Sequence, residues 1–167
     1  SSSPGIALMQ EGFSDLAVIQ APVVAINVMR SGPGIGGIQP AQADYFQVTR
    51  GGGNGDYHVI VYAPKSIQEA VEMIYNSFDI ADEYRNPVMI AVDGMLGQMM
   101  EPVSLDLGEI TEYDKSWAVT GTKCERKKNL INSLALVPEE LEKLNAQIED
   151  EIQSEASVED VKKEKKQ

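Results

Sequence analysis

The clearest chemistry in the sequence belongs to a glycine-rich segment that begins with an arginine. Arg30 is followed by SGPGIGGIQP over residues 31–40, whose glycines match the dinucleotide-binding pattern G-x-G-x-x-G. That pattern needs its last glycine to open a helix, but Pro40 stands where the helix would run, so the context disfavours a nicotinamide or flavin site. A P-loop is excluded because no Gly-Lys-Ser or Gly-Lys-Thr follows. We expect an ordered loop lining a site, with a solvated surface loop as the alternative.

Two arginines in this region are candidates for binding anions. Arg30 leaves the carboxyl end of a predicted buried strand, where open α/β sheets bind their ligands. Its guanidinium can hold a carboxylate through two parallel hydrogen bonds. Arg50 is also expected to face an anion, because an uncompensated charge near a partly dry backbone is costly. For Arg30 the alternative is a structural salt bridge to Asp44 or Asp56.

Other reactive residue types are scarce. His58 is the only histidine and begins a predicted strand, so we expect it to be packed or hydrogen-bonded and not to act as a base. The single cysteine, Cys124, excludes an internal disulfide and any zinc or iron–sulfur site built from thiolates. A catalytic triad is unsupported. We assign no catalytic residue and no metal ligand to this chain.

The elements that must position these residues alternate between helix and strand. Helical spacing of apolar residues predicts a first helix from Ile6 to Ala17, and Ser66 with Glu69 predicts a capping box before a second. Short apolar runs predict strands covered on both faces at 22–29, 59–63 and 88–92. No regular element is predicted between Arg30 and Tyr57. This order predicts an α/β fold with a parallel sheet.

Composition and charge narrow the class of protein. The 167 residues are 43% apolar and 24% charged, which is typical of a globular domain. The net charge of −12 disfavours nucleic acid, and no apolar run approaches the ~20 residues of a membrane span. We expect a cytoplasmic protein. Three regions are predicted: an α/β block (1–94), a connecting region (95–137) and a charged helical tail (138–167) with a helix over about 138–153.

Several long motifs follow one another in a fixed order. They are SSPG at 2–5, NVMRSGPG at 27–34, QPAQ at 39–42, DY at 44–45, TRGGGNGDY at 49–57, YRNPV at 84–88 and DGMLGQMMEPV at 93–103. In these motifs the sequence resembles the alpha subunit of 2-oxoacid:ferredoxin oxidoreductases, most of all the type that acts on 2-ketoisovalerate. The resemblance implies the later part of a parallel-sheet pyrimidine-binding domain of a thiamine diphosphate enzyme, followed by a linker and a C-terminal helix.

The resemblance also implies roles for individual residues. The turn beside the cofactor corresponds to Ser2, Ser3, Pro4 and Gly5. Arg30 corresponds to the arginine that receives the substrate carboxylate, and the loop around it is shaped by Gly32, Pro33 and Gly34. Asp44, Arg50 and Asp56 correspond to residues that fix the loop or form an interface.

Other polypeptides are expected to complete such an enzyme. The family converts a 2-oxoacid, coenzyme A and oxidised ferredoxin to acyl-coenzyme A, carbon dioxide and reduced ferredoxin. Thiamine diphosphate with its magnesium is shared with the beta subunit, and the iron–sulfur clusters lie on other subunits, including gamma and delta. The family's activating glutamate precedes the turn at Ser2, so we expect a fragment that is inactive alone and associates into an oligomer. The alternative is a noncatalytic nucleotide-binding or scaffolding α/β module.

Overall fold

A three-stranded parallel sheet forms the centre of the computed structural model, which describes residues 1–164. The strands are β1 (Val24–Met29), β2 (Ile60–Tyr62) and β3 (Val88–Asp93), in the order β1-β3-β2. Val24 of β1 and Ile60 of β2 both lie opposite Val88, the first residue of the central strand. The predicted α/β fold with parallel strands is confirmed.

Five helices and one short 3-10 helix surround or follow the sheet within the described residues. They are α1 (Ser3–Leu8), α2 (Gln10–Val18), α3 (Tyr45–Arg50), α4 (Ile67–Tyr84), the 3-10 helix Leu96–Gln98 and α5 (Pro138–Glu164). The first predicted helix is in fact two, because the N–H of Met9 donates to the Ile6 carbonyl and so closes a tight turn between them. The predicted helix over about 138–153 is confirmed, and it extends to Glu164.

Apolar layers cover the two faces of the sheet. Side chains of α1, α2 and α3 form one layer with Met29, Met89 and Ala91. Side chains of α4 form the other with Val88, Ile90 and Val92. The expectation that strands are covered on both faces holds for the central strand β3. It is wrong for the two outer strands, because only Asn27 and Met29 are buried in β1 and no residue is buried in β2.

The outer position of β1 explains its partial exposure. Beside it lie only the first residues of the chain, where the Ser1 amino group donates to the Ile26 carbonyl (2.8 Å) and the Val28 N–H donates to the Ser1 carbonyl (3.0 Å). Ser2 makes a parallel bridge with Val28. The turn at residues 2–5 therefore begins beside the carboxyl half of β1.

The cap of α4 follows its predicted chemistry with one difference. The Ser66 hydroxyl accepts the Glu69 N–H (3.1 Å), as a helix N-cap does. The Glu69 carboxylate accepts the N–H of Lys65 (2.7 Å), one residue earlier than a capping box requires.

The prediction that no regular element lies between Arg30 and Tyr57 is wrong. The six-residue helix α3 lies within that segment, and Val48 is its one buried residue. A helix with a single buried side chain has no apolar periodicity for a sequence pattern to detect. In the part of the chain that the structure describes, no helix combines the length and apolar character needed to cross a bilayer.

Candidate functional site

The carboxyl ends of β1 and β3 form the edge at which the candidate residues meet. Met29 and Asp93 are register partners, and each is the last residue of its strand. A Cβ built on Gly94 would lie 2.5 Å from the Met29 carbonyl oxygen and 3.1 Å from Pro40 Cα. Glycine at this position therefore lets the following loop pack directly on the two strand ends.

The glycine loop, residues 31–43, is ordered by its own backbone. Arg30 and Pro40 form an antiparallel bridge across its base. The Ser31 N–H donates to the Gln39 carbonyl and the Gly37 N–H donates to the Ser31 carbonyl, both at 3.0 Å. The next helix begins only at Tyr45. The loop thus lacks the helix that would bind a pyrophosphate, which argues against the dinucleotide interpretation.

Arg30 has a fixed backbone and a partly unsatisfied guanidinium. Its N–H donates to the Ser3 hydroxyl (3.0 Å), and that hydroxyl donates to the Arg30 carbonyl (3.3 Å). Its Nη2 donates to the Ile35 carbonyl at 3.0 Å, while its Nε is buried without a hydrogen-bond partner. The alternative salt bridge to an aspartate is not formed, because the one ion pair among the described residues joins Lys115 to Asp82.

The predicted cofactor turn and the predicted carboxylate-binding residue meet through this serine. Ser3 opens α1, and Pro4 occupies the first turn of that helix. A Cβ on Gly5 would meet the Ser1 hydroxyl, so the Ser1 side chain packs against this glycine. The structure brings Ser3 and Arg30 into direct contact, although 27 positions separate them in the sequence.

The three loop residues expected around Arg30 lie at the exposed end of the glycine loop. Gly32, Pro33 and Gly34 are all exposed. Gly34 has a φ of +69°, in the left-handed region that favours glycine.

Two other sequence predictions have different outcomes. The Arg50 guanidinium lies 4.8 Å from the centroid of the Phe46 ring, and no carboxylate of the described residues pairs with it. An anion from outside these residues is needed for the expected contact of Arg50, which stays a prediction. His58 is exposed, and the hydrogen bond at this residue goes from Asn86 Nδ2 to its backbone carbonyl (3.2 Å). The expectation that the His58 side chain is packed or hydrogen-bonded is wrong.

Two polar residues make hydrogen bonds that the sequence did not predict. Asn27 is fully buried in β1, and its Nδ2 donates to Asp44 Oδ2 at 3.0 Å. The Tyr57 hydroxyl accepts the N–H groups of residues 52 and 53 and donates to Gln10 Oε1 at 3.2 Å, which fastens that second glycine segment to α2. An asparagine inside an apolar strand was the available signal for the first of these.

Comparison with known proteins decides the family. The thiamine diphosphate-binding domain of the pyruvate flavodoxin/ferredoxin oxidoreductases matches residues 1–166. The chain belongs to this family. The resemblance drawn from the motifs is thereby confirmed.

Curated relatives of this oxidoreductase chain carry two substrate names. It is 49% identical over 146 residues to the ketoisovalerate oxidoreductase subunit VorB of Methanothermobacter marburgensis, covering 87% of this chain and 41% of the relative. It is 40% identical over 134 residues to the 2-oxoglutarate synthase subunit KorA of Archaeoglobus fulgidus, covering 79% of this chain and 36% of the relative. The chain thus spans about two-fifths of the length of these relatives.

A solved structure shares the fold of this oxidoreductase chain. It is a 2-oxoglutarate:ferredoxin oxidoreductase from Magnetococcus marinus with 2-oxoglutarate, coenzyme A and succinyl-CoA bound. The TM-score is 0.77 over 93% of this chain and 32% of the other, at 22% sequence identity. The parallel-sheet architecture of the family is therefore present here.

The residues at the carboxyl edge fit a contact with part of the family's cofactor. The turn at Ser2 begins beside the carboxyl end of β1, where parallel sheets bind ligands, and the Ser3 hydroxyl lies against the Arg30 backbone there. Among the described residues, no group of three or more His, Cys, Asp or Glu is placed to hold a metal ion.

Proposed function

We propose that this chain forms part of the alpha subunit of a thiamine diphosphate-dependent 2-oxoacid:ferredoxin oxidoreductase that acts on 2-ketoisovalerate. The enzyme would convert the 2-oxoacid, coenzyme A and oxidised ferredoxin to acyl-coenzyme A, carbon dioxide and reduced ferredoxin. The observation that carries this proposal is the pair of hydrogen bonds between the Ser3 hydroxyl and the Arg30 backbone. They support a single site in which a cofactor turn and a carboxylate-binding group are adjacent.

Arg30 is the residue proposed to bind the substrate carboxylate. Its buried Nε lacks an acceptor, and a donor in that condition gains much from a charged oxygen. A guanidinium edge can present two parallel N–H groups to a carboxylate. Because Ser3 and the Ile35 carbonyl already hold the backbone and one nitrogen, little conformational freedom is lost when the anion binds.

The turn at residues 2–5 is proposed to hold the cofactor ring. When bound, thiamine diphosphate supplies the carbon nucleophile and the electron sink for decarboxylation. In this chain, Ser2, Ser3, Pro4 and Gly5 would contact the ring system, and Ser3 would also orient Arg30. Gly32, Pro33 and Gly34 would shape the loop above the substrate. The magnesium ion, the diphosphate contacts and the iron–sulfur clusters are proposed to lie on the beta, gamma and delta subunits.

The surroundings of the site support an assembly of several subunits. Ile35 and Ile38 of the glycine loop are each 81% exposed, and Met100, after the 3-10 helix that follows β3, is 96% exposed. Apolar side chains grouped near a binding edge are typical of surfaces that another protein covers. We propose that the beta subunit covers this edge and that ferredoxin binds the assembled oligomer. The exposed free thiol of Cys124 fits a reducing cytoplasm.

Replacing Arg30 in the assembled complex tests the proposal. We expect Arg30→Ala to lower kcat/KM for 2-ketoisovalerate by roughly tenfold to 150-fold, the loss of a bidentate charge-assisted contact of ~1.5 to 3 kcal/mol. Arg30→Lys should recover little, because an ammonium group lacks the planar fork. The measurement is 2-ketoisovalerate-dependent reduction of ferredoxin or viologen.

Arg126→Ala is the matched control, because that guanidinium donates to backbone carbonyls of the connecting region and pairs with no carboxylate among the described residues. It should leave kcat/KM within about twofold of the unsubstituted complex, since these hydrogen bonds act on local folding and do not touch substrate. An unchanged kcat/KM in Arg30→Ala would show that Arg30 does not bind the substrate carboxylate. Tight binding of thiamine diphosphate to the isolated chain would contradict the proposed division of the cofactor site between subunits.

A further inference from the structure

Asn27 is an unusual residue for its place in the core. It lies in the middle of β1 with none of its surface exposed. Alternation along the strand puts it on the same face as Ala25 and Met29, which belong to the apolar layer under α1 and α2. Its Nδ2 donates to Asp44 Oδ2, but its Oδ1 is buried without a partner. A buried, half-satisfied amide costs stability, so the bond that it does make calls for an explanation.

Asp44 uses its side chain in an equally unusual way. It is the residue immediately before α3, and its carbonyl accepts the Val48 N–H at 2.9 Å. Aspartate is among the preferred residues at this position because its side chain can accept helix N–H groups. Here the side chain makes no cap hydrogen bond and is bonded to Asn27 instead. The carboxylate therefore ties the end of the glycine loop to β1 and does not cap its own helix.

We propose that the hydrogen bond between Asn27 and Asp44 is a latch that closes the glycine loop and positions Arg30. The inference rests on the proposed function, in which Arg30 binds the substrate carboxylate. Asn27 lies in β1, three residues before Arg30, and Asp44 directly follows the loop, so the bond joins the two ends of the segment. Within that segment the Arg30 guanidinium is oriented by the Ile35 carbonyl.

Loss of the Asn27–Asp44 bond would weaken substrate binding by displacing the Ile35 carbonyl, which orients the Arg30 guanidinium. The loop's internal bonds, from the Ser31 and Gly37 N–H groups, close only small rings within residues 31–39. They do not anchor the returning chain at residues 41–43 to the sheet. The Gln42 side chain adds one exposed hydrogen bond to Asp93 (2.9 Å). The Arg30–Pro40 bridge holds only the base of the loop. Without Asp44 the loop would turn about this bridge relative to β1, and the guanidinium would lose its orientation. Asn27 and Asp44 are therefore positioning residues.

Kinetics of the assembled complex with substituted Asp44 provide the first test. Asp44→Ala should raise KM for 2-ketoisovalerate roughly tenfold and change kcat less than about twofold, since a hydrogen bond to a charged group is worth about 1.5–3 kcal/mol and acts here on binding. Asp44→Asn keeps an acceptor oxygen and should restore KM to within about threefold. Asp15→Ala, which removes an exposed aspartate on α2, is the control and should change neither constant.

Hydrogen exchange on the same complexes provides a readout that does not depend on activity. Asp44→Ala should speed amide exchange in residues 31–43 several-fold and leave β3 protected. Unchanged exchange in the loop, or an equal loss of protection in β3, would overturn the latch. An unchanged KM in Asp44→Ala would also overturn it, provided that Arg30→Ala raises KM. If Arg30→Ala has no effect, the proposed function fails, and loop exchange alone then decides whether the latch exists.

Discussion

Two irregular segments of the chain, the glycine loop and residues 104–117, are fixed by different kinds of contact. We call residues 104–117 the strap, because they run along the outside of α4 in the direction of the helix. Side chains seven residues apart on α4 hold it: Gln68 pairs with the Ser104 backbone, the Tyr75 hydroxyl donates to the Gly108 carbonyl, and Asp82 pairs with Lys115 at 2.8 Å. The glycine loop is instead held by bonds within its own backbone, by glycines that allow close approach and by the single Asn27–Asp44 bond at its end.

This difference predicts which kind of substitution destabilises each segment. Exposed side-chain contacts such as those of the strap contribute about 0–1 kcal/mol each, and the loss of one leaves the others in place. Close backbone packing has no such tolerance, because an added methyl group meets atoms that cannot rotate away. A single added methyl group should therefore destabilise the glycine loop, whereas only the loss of its largest contact should destabilise the strap.

The two arginines whose Nε atoms are buried without partners extend the comparison. The Arg85 guanidinium, at the C-cap of α4, lies 4.1 Å from the centroid of the Trp117 ring at the end of the strap. That aromatic contact gives Arg85 a structural role. Arg30 has no aromatic contact of this kind among the described residues, and its free donor lies at the binding edge.

The largest expected effect comes from adding a methyl group at Gly94. We expect Gly94→Ala to lower the free energy of unfolding by about 1–3 kcal/mol, because its Cβ would lie within 2.5 Å of the Met29 carbonyl and meet Pro40. Urea unfolding followed by far-UV circular dichroism measures this. Gly12→Ala is the matched control: no atom lies within 4 Å of the added Cβ, so it should stabilise α2 by about 0.5–1 kcal/mol. Equal effects at both positions would show that the close contact at Gly94 does not limit side-chain size.

The strands could be predicted closely because short apolar runs rich in β-branched residues leave a readable pattern. The predicted 22–29 begins two residues before β1. The predicted 59–63 and 88–92 differ from β2 and β3 by at most one residue at each end. The helix α3 could not be predicted, since Val48 alone anchors it. The contacts of the strap could not be predicted either, because each depends on how an irregular chain aligns with α4. The seven-residue spacing of these α4 side chains predicts no contact unless the position of the strap is already known.

The contacts between the candidate site residues could not be predicted from the sequence. Motifs and the end of an apolar strand single out Arg30 and the turn at residues 2–5 as candidates. Their contact through Ser3 joins residues 27 positions apart, and no local pattern encodes such a pairing. The same holds for the bond between Asn27 and Asp44, which crosses the glycine loop. Polar residues within apolar strands are thus the best sequence signal for contacts of this kind.

A smaller effect is expected from the largest contact of the strap. Trp117→Leu should lower the free energy of unfolding by about 1 kcal/mol, because it removes the ring beneath the Arg85 guanidinium. Trp117→Phe keeps an aromatic face and should lose less than half as much. Hydrogen exchange should rise in residues 113–118 and remain unchanged in the glycine loop. Faster exchange in both segments would show that the strap and the loop are not independent.

The smallest expected effect is a pH dependence confined to the strap. Partial burial raises the pKa of the Tyr113 phenol, and the negative charges of Glu83, Asp79 and Asp82 on α4 add to the shift. Because the folded pKa exceeds the unfolded one, the folded state holds this proton more tightly, so stability falls as the pH rises above the ordinary tyrosine value. The difference in absorbance at 295 nm between the unsubstituted chain and Tyr113→Phe isolates this one phenol. Glu83→Gln should lower its pKa, while Glu142→Gln on α5 should leave it unchanged. A Tyr113 pKa insensitive to Glu83 would place the phenol away from α4 and release that part of the strap from the helix.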